Sequence, residues 1–308
     1  MVMMFKNNGN VIEPTSGENR FWVHVVNPTR DEICTLQTTY GIDPDILTDI
    51  LDMDELSRIE KDGDTTFILL RLPVCDPAQE ISYFTVPLGV VIKPDCIVTV
   101  CQHEVELLGG FQNSRGRVMR LSGAVSFVLN LFYYSAVYFL RHLKEINRKT
   151  AIIEQDLQKS VKNNELIRLL RMEKSLVYFT TALKSNELVL ETIMKERAFK
   201  LSPDDLDLLE DVIQENRQAI EMANIYSNIL SGMMDAFASV ISNNLNVVMK
   251  RLTVISLVLM FPTLIASLYG MNIGLPLQQE PWAFAAIAGG SVALGVLIFT
   301  VFRKLKLF

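Results

Sequence analysis

The sequence predicts an α+β membrane protein: an N-terminal α/β domain, a helical hairpin, one very long helix and a second transmembrane helix. Three observations predict it. No Asp, Glu, Lys, Arg or His falls between Leu252 and Tyr269, or between Trp282 and Phe302, and runs of that length can cross a hydrocarbon core as helices. No proline interrupts the chain between Pro203 and Pro262, and Leu206, Leu209, Ile213, Ile220, Ala223, Leu230, Met234, Phe237 and Ile241 recur along one helical face. Before residue 115, short β-rich runs alternate with turn residues.

Composition agrees with that division. The chain has 308 residues, 49% of them hydrophobic, with a mean hydropathy of +0.25, high for a purely soluble protein. Its net charge is −6, and Asp43, Asp45, Asp49, Asp52, Asp54 and Glu55 concentrate the acid. This disfavours nucleic acid and reads as a solvated surface compatible with cations. Cys34, Cys75, Cys96 and Cys101 form no CxxC pair and read as reduced thiols. His24, His103 and His142 are isolated and receive no function. No nucleophile–base grouping or phosphate loop is present, so an enzyme is not expected. No signal peptide is visible in the opening residues.

In chain order, residues 1–115 form the expected α/β domain. Residues 1–20 are polar, with Gly9, Pro14 and Gly17, and are expected to fray. Phe21–Val26 is a strand candidate. Asp43 precedes a helix with Pro44 at its first position. Thr65–Leu72, Tyr83–Ile92 and Cys96–Val100 are further strands bounded by Gly63-Asp64 and Pro94-Asp95. Strand order cannot be read.

Residues 116–200 form the helical hairpin. Ser122–Leu140 is uncharged and nearly long enough to span a membrane. It carries Ser122, Ser126, Asn130, Tyr133, Tyr134, Ser135 and Tyr138, however, and is flanked by Arg or Lys on both sides, whereas a span shows basic bias on one side. It is expected to be a buried soluble helix.

The stalk helix occupies 201–251 and continues into the first span, 252–270. Ser202 caps it, Pro203 takes the first position, and Asp204 and Asp205 complement the dipole. The whole helix, from about 203 to 268, measures roughly 100 Å. Pro262 frees a carbonyl inside it and favours a bend. An outer loop (271–281), a second span (282–302) and a basic tail (303–308) follow. Ala285, Ala288, Gly289, Gly290 and Gly295 permit close helix contact. Lys250 and Arg251 precede the first span, Arg303, Lys304 and Lys306 follow the second, and the connecting loop has no basic residue. Positive-inside bias therefore puts both termini in the cytoplasm, with two spans in the plasma or inner membrane.

The first span carries more than a tether needs. Thr253, Ser256, Met260, Thr263 and Ser267 are spaced 3, 4, 3, 4, and the stripe continues backwards through Met249, Asn246, Ser242, Ser239 and Asp235. A polar stripe through a membrane helix can line a pore or pack against other helices. Its end, Tyr269-Gly270-Met271-Asn272, followed by a short loop, a second span and a basic tail, resembles the CorA family of magnesium channels. Ser242–Lys250 is similar to that family's inner pore mouth.

That resemblance covers most of the chain. It implies a homopentamer in which five copies of this helix line one pore beneath a cytosolic funnel, passing Mg²⁺ inward. Gly270, Met271 and Asn272 would form the outer selectivity filter, with Asn272 holding a hydrated cation. Asn246 would form an inner polar ring, and Met249, Leu252 and Met260 a narrow collar, with Thr253, Ser256, Thr263 and Ser267 on the same wall. The resemblance also implies that Mg²⁺ bound between neighbouring cytosolic domains closes the channel, through Asp211 on the stalk and Asp76 of an adjacent subunit. The chain departs from the family in the outer loop, where Ile273-Gly274-Leu275-Pro276-Leu277-Gln278-Gln279-Glu280 displaces the usual acid.

The chemistry supports the same idea independently of the family. Mg²⁺ dehydrates reluctantly, and a filter must release its ion. Neutral amide oxygens accept hydrogen bonds from the ion's waters without trapping it. No acid lies between Lys250 and Gln279, which argues against a proton-coupled exchanger. A potential of 100 mV supplies about 4.6 kcal/mol to a divalent ion, twice the value per unit charge. A Zn²⁺, Co²⁺ or Ni²⁺ transporter of the same superfamily, and a membrane-tethered sensor, remain the alternatives.

Overall fold

The computed structural model describes residues 1–7, 12–14, 21–112, 123–159, 163–195, 199, 201–271, 273–274 and 280–304. The chain divides into two compact units, Met1–Gly232 and Met233–Phe308.

The first unit is built on a seven-stranded sheet. Its strands are β1 (Val2–Asn7), β2 (Ile12–Pro14), β3 (Trp22–Val26), β4 (Arg58–Asp62), β5 (Thr65–Cys75), β6 (Tyr83–Ile92) and β7 (Ile97–Cys101), in the order β2-β1-β3-β7-β6-β5-β4. Among the described residues only the β3–β7 pair is parallel; the other neighbouring pairs are antiparallel. Helices α1 (Arg30–Tyr40) and α2 (Pro44–Leu51) supply Leu36, Leu47 and Ile50 to one face, against Val23, Val25, Phe67, Leu69, Val91, Val98 and Val100. Helices α3 (Glu106–Gln112), α4 (Ala124–Lys159) and α5 (Asn163–Lys195) lie on the other side, over Ile68, Leu70, Leu72, Val86, Leu88 and Val90. The period-2 alternation of side chains in β5 and β6 divides them between these two cores.

The helix starts follow local chemistry. Asp43 caps α2 by accepting from the Asp45 amide at 2.9 Å, and Pro44 stands at its first turn. Thr29 and Glu32 form a capping box on α1. α2 seats directly on β6: a Cβ added to Gly89 would lie 2.2 Å from Cδ1 and 2.3 Å from Cγ1 of the fully buried Ile50.

The opening residues differ from the sequence expectation. Val2–Asn7 is a strand paired with β3, and Phe5 is buried with its ring stacked on Trp22 at 4.7 Å. The apolar run Val2-Met3-Met4-Phe5 gains from tertiary pairing what its polar flanks conceal. Residues 8–11 and 15–20 lie outside the described residues.

β5 outruns its neighbour β4, whose pairing ends at Arg58–Leu69. The backbone of Arg71 is therefore completed by a side chain. Its N–H donates to Asn186 Oδ1 at 2.9 Å, and Asn186 Nδ2 donates to its carbonyl at 2.9 Å. Buried backbone groups require such partners. The Arg71 guanidinium donates in turn to the carbonyls of Glu55 (2.6 Å) and Met53 (2.9 Å). Burial lowers its pKa despite the acids nearby. One residue thus ties α5, the sheet and the 53–57 segment together.

α4 contains a window apolar enough to cross a membrane, and 56% of that window is buried within the protein. It packs on α5, β5 and β6, with Phe127, Leu131, Phe139 and Leu143 fully buried.

His24 is buried in β3 beside Thr99. Trp22 Nε1 donates to Thr99 Oγ1 at 2.8 Å, and Thr99 Oγ1 lies 2.8 Å from His24 Nδ1. Thr99 can accept from Trp22 and give its own hydrogen to a neutral imidazole. Burial pushes the His24 pKa down to about 4 from 6.5. The unfolded chain then binds the extra proton below pH 6.5, so stability is full above that value and falls as pH drops towards 4. The loss should reach about 3 kcal/mol from this group. Thermal unfolding of the wild type and His24→Gln across pH 4–8 should show a shallower acid decline in the variant. Parallel declines would contradict this role.

α6 (Pro203–Tyr269) is a single helix. Ser202 Oγ accepts from the Asp205 amide at 3.2 Å and donates to Asp205 Oδ2 at 2.7 Å, closing its first turn. Leu209, Val212, Ala219, Ala223 and Leu230 bury its inner face, whereas Leu206 is exposed. Asn216 is buried too, and donates to Leu183 O of α5 at 3.0 Å.

Candidate pore-lining face

The second unit consists of the distal part of α6 and α7 (Ala283–Lys304). Both helices carry windows long and apolar enough to cross a membrane, and only 6% and 11% of these are buried. Leu259 is 64% exposed, Phe284 83% and Val292 66%. Surfaces this apolar call for a bilayer or other protein rather than water.

α6 meets α7 along one face. Val254 is buried, and Val258, Pro262 and Ile265 are half-buried. On α7 the matching positions are Ala283, Ser291 and Gly295. At Gly295 an added Cβ would lie 3.7 Å from Val258 Cγ1, 3.8 Å from Val258 O and 3.9 Å from Pro262 Cγ. Pro262 has no N–H to give to the Val258 carbonyl one turn earlier, so the glycine of α7 faces the break in the ladder. Of the small residues expected to permit contact, only Gly295 is used in this way. Ala285 and Ala288 are exposed, and a Cβ at Gly289 or Gly290 would meet nothing within 4 Å.

The polar stripe lies on the other side. At 100° per residue, Thr253, Ser256, Met260, Thr263 and Ser267 centre roughly 180° away from Val254, Val258, Pro262 and Ile265. All five are exposed, as are Asn246, Met249 and Leu252. Thr253 Oγ1 donates to Met249 O at 2.9 Å and Thr263 Oγ1 to Leu259 O at 2.8 Å. Each hydroxyl hydrogen is thus committed to the helix, leaving oxygen lone pairs outward as acceptors. Water around a cation offers hydrogens, which suits such a wall.

α6 ends at Tyr269. The Gly270 amide is shared between the carbonyls of Ala266 (3.0 Å) and Ser267 (3.2 Å), and the Met271 amide reaches Leu268 O at 3.4 Å. A Cβ on Gly270 would sit 3.4 Å from Ala266 O, an ordinary contact distance, and the Gly270 backbone is not left-handed. Met271 is exposed. Asn272 lies outside the described residues, as do residues 275–279.

The two expected regulatory acids are both in the first unit. Asp76 follows β5, where its carboxylate accepts from the Ala78 amide at 2.9 Å and its own N–H donates to Ser82 O at 2.9 Å. It therefore holds the β5–β6 turn while remaining half-exposed. Asp211 is exposed on α6. Among the described residues, no group of three or more His, Cys, Asp or Glu within the chain is arranged to hold a metal.

Comparison with known proteins gives a consistent answer. The family described as "CorA-like Mg2+ transporter protein" matches residues 18–304. The "Cobalt/magnesium transport protein CorA" of Methanocaldococcus jannaschii is 24% identical over 314 aligned residues, covering 98% of each chain. The protein of the same description from Thermotoga maritima is 22% identical and covers 92% of this chain and 82% of its own. The complete structure of the M. jannaschii CorA magnesium transporter superposes with a TM-score of 0.82, over 99% of this chain and 98% of that one.

Proposed function

The chain belongs to the family of CorA-like Mg²⁺ transporter proteins, and on that premise we propose that it is a homopentameric channel carrying Mg²⁺ into the cytoplasm. The observation that carries this reading is the exposed, uncharged polar face of α6, directed away from α7. A helix that only anchored a sensor would have no use for that face. Five copies would place Thr253, Ser256, Thr263 and Ser267 around one axis, Asn246 below them, and Met249, Leu252 and Met260 as the constriction. Gly270, Met271 and Asn272 would form the outer filter, where amide oxygens accept from the hydration shell. The membrane potential drives the ion inward. α6 and α7 are the two spans, with both termini cytoplasmic; the burial of α4 in protein supports leaving it out of the membrane.

Cysteine accessibility tests the wall directly, because the native cysteines all precede residue 102. Ser256→Cys and Thr263→Cys should react with a small cationic thiol reagent and lose most of their Mg²⁺ flux. Val258→Cys and Ile265→Cys, against α7, should react far more slowly. Equal reactivity on both faces would overturn the assignment of the pore wall.

Asp76 and Asp211 are proposed to bind the Mg²⁺ that closes the channel, each from a different subunit. Two carboxylates with water fit the few protein ligands this ion commonly takes. Asp76 also supports its turn, so Asn is the informative replacement: it keeps the acceptor for Ala78 and removes the charge. Asp76→Asn with Asp211→Asn should conduct at internal Mg²⁺ concentrations at least tenfold above those that silence the parent. An unchanged inhibition curve would remove both residues from regulation.

A further inference from the structure

The second unit carries cations that no other residue described in that unit neutralises. Lys250 and Arg251 stand on α6 and Arg303 and Lys304 at the end of α7, all exposed. Within that unit none of the four forms an ion pair or side-chain hydrogen bond among the described residues. Between residues 233 and 304 the only acids are Asp235 and Glu280. Their level follows from the Gly295 contact. Arg251 is nine residues before Met260, which lies between the contacting Val258 and Pro262, and Lys304 is nine residues after Gly295. Nine helical residues rise about 13.5 Å, so the two pairs lie level with one another on the same side of that contact, directly beyond the uncharged runs 252–269 and 282–302, whose helical lengths match the roughly 30 Å hydrocarbon core. With α6 and α7 crossing in succession, both basic pairs therefore reach the inner surface at headgroup depth.

We propose that Lys250, Arg251, Arg303 and Lys304 form a docking surface for the phosphate headgroups of anionic phospholipids in the inner leaflet. The inference rests on the two-span topology proposed above, but not on ion conduction. Charge complementarity and depth both select a lipid: the cations face the plane where phosphates are fixed, and the apolar helix surfaces above them accept acyl chains. Lys and Arg stems can extend along that boundary while the charged ends stay at the surface. Basic groups on the cytoplasmic side of membrane helices bind anionic lipid in this way, each contributing about a fivefold gain in affinity.

The test uses full-length purified oligomer in neutral detergent, titrated with phosphatidylglycerol or phosphatidylcholine, with retained lipid counted by native mass spectrometry. The wild type should retain phosphatidylglycerol at least tenfold more tightly, and raised salt should reduce the preference. The variant Lys250→Gln/Arg251→Gln/Arg303→Gln/Lys304→Gln should bind the two lipids alike. Arg251→Lys/Arg303→Lys keeps the charge and should keep the preference, which separates lost binding from lost folding. An undiminished preference in the fourfold Gln variant would overturn the proposal. So would displacement of phosphatidylglycerol by equimolar inorganic phosphate, which would mark a site for free anions. Because the readout is lipid rather than flux, protein that binds phosphatidylglycerol but conducts no Mg²⁺ would retain this surface and sink the channel reading instead.

Discussion

Replacing Asn272 with alanine is expected to reduce Mg²⁺ flux at least a hundredfold while leaving the oligomer folded. In the proposed channel its amide oxygen is repeated five times around the axis. Each copy can accept a hydrogen bond from the ion's first water shell without displacing it. Hydrogen bonds to charged groups contribute about 1.5–3 kcal/mol each, so losing a ring of five removes the recognition step. Asn272→Asp is the informative second variant. It restores acceptors but adds five charges, and should hold a divalent ion more tightly while passing it more slowly, since a conducting site must release its ion. Unchanged conductance in Asn272→Ala would place selectivity elsewhere on α6.

Gly89→Ala should be among the most destabilising single methyl additions in the chain. The new Cβ would lie 2.2 Å and 2.3 Å from two atoms of Ile50, well inside contact distance. Ile50 cannot step aside: it is fully buried in the core formed with Leu47, Phe67, Leu69 and Val91. Overpacking of this kind costs about 1–3 kcal/mol, and the backbone of α2 would have to lift from the sheet to relieve it. Gly89→Ala with Ile50→Val should recover part of the loss. A thermal midpoint unchanged by Gly89→Ala alone would mean that α2 does not seat on β6 as described.

The sequence was most readable where the signal is local and repeated. α6 declares itself through Ser202-Pro203-Asp204-Asp205 and an apolar face that persists without proline to Pro262, and the structure places its bounds at Pro203 and Tyr269. Strands β3, β5, β6 and β7 follow from β-rich runs between turn residues. The polar stripe of α6 was legible for the same reason: helical period alone assigns residues to a face, and the exposure of that face needs no partner to be seen.

What escaped was non-local. β1 is held by pairing with β3 rather than by propensity, and β4 (Arg58–Asp62) is charged because it is an edge strand. The parallel β3–β7 pair joins residues more than seventy apart, which no local pattern encodes. α1 was missed although Thr29 and Glu32 spell the capping box that starts it, a signal available in the sequence. Arg71 and Asn186 look like surface residues in one dimension; both are buried because each completes the other's hydrogen bonds. Which small residue of α7 meets α6 was likewise open until Gly295 was seen against Val258 and Pro262. A ring built from several subunits is not visible in one chain, which is why Asp76 and Asp211 can be located but their pairing rests on the proposed assembly.

The most direct test of the channel is Mg²⁺ uptake into liposomes carrying the purified full-length protein, with an inside-negative potential imposed and Co²⁺ and Zn²⁺ offered as competitors. The account predicts Mg²⁺ uptake that rises with the potential, needs no nucleotide and is reduced by Co²⁺. Uptake of Zn²⁺ without Mg²⁺ would keep the pore and overturn the substrate. No flux of any divalent ion, from folded oligomer at low internal Mg²⁺, would contradict the channel itself and leave a membrane-tethered sensor.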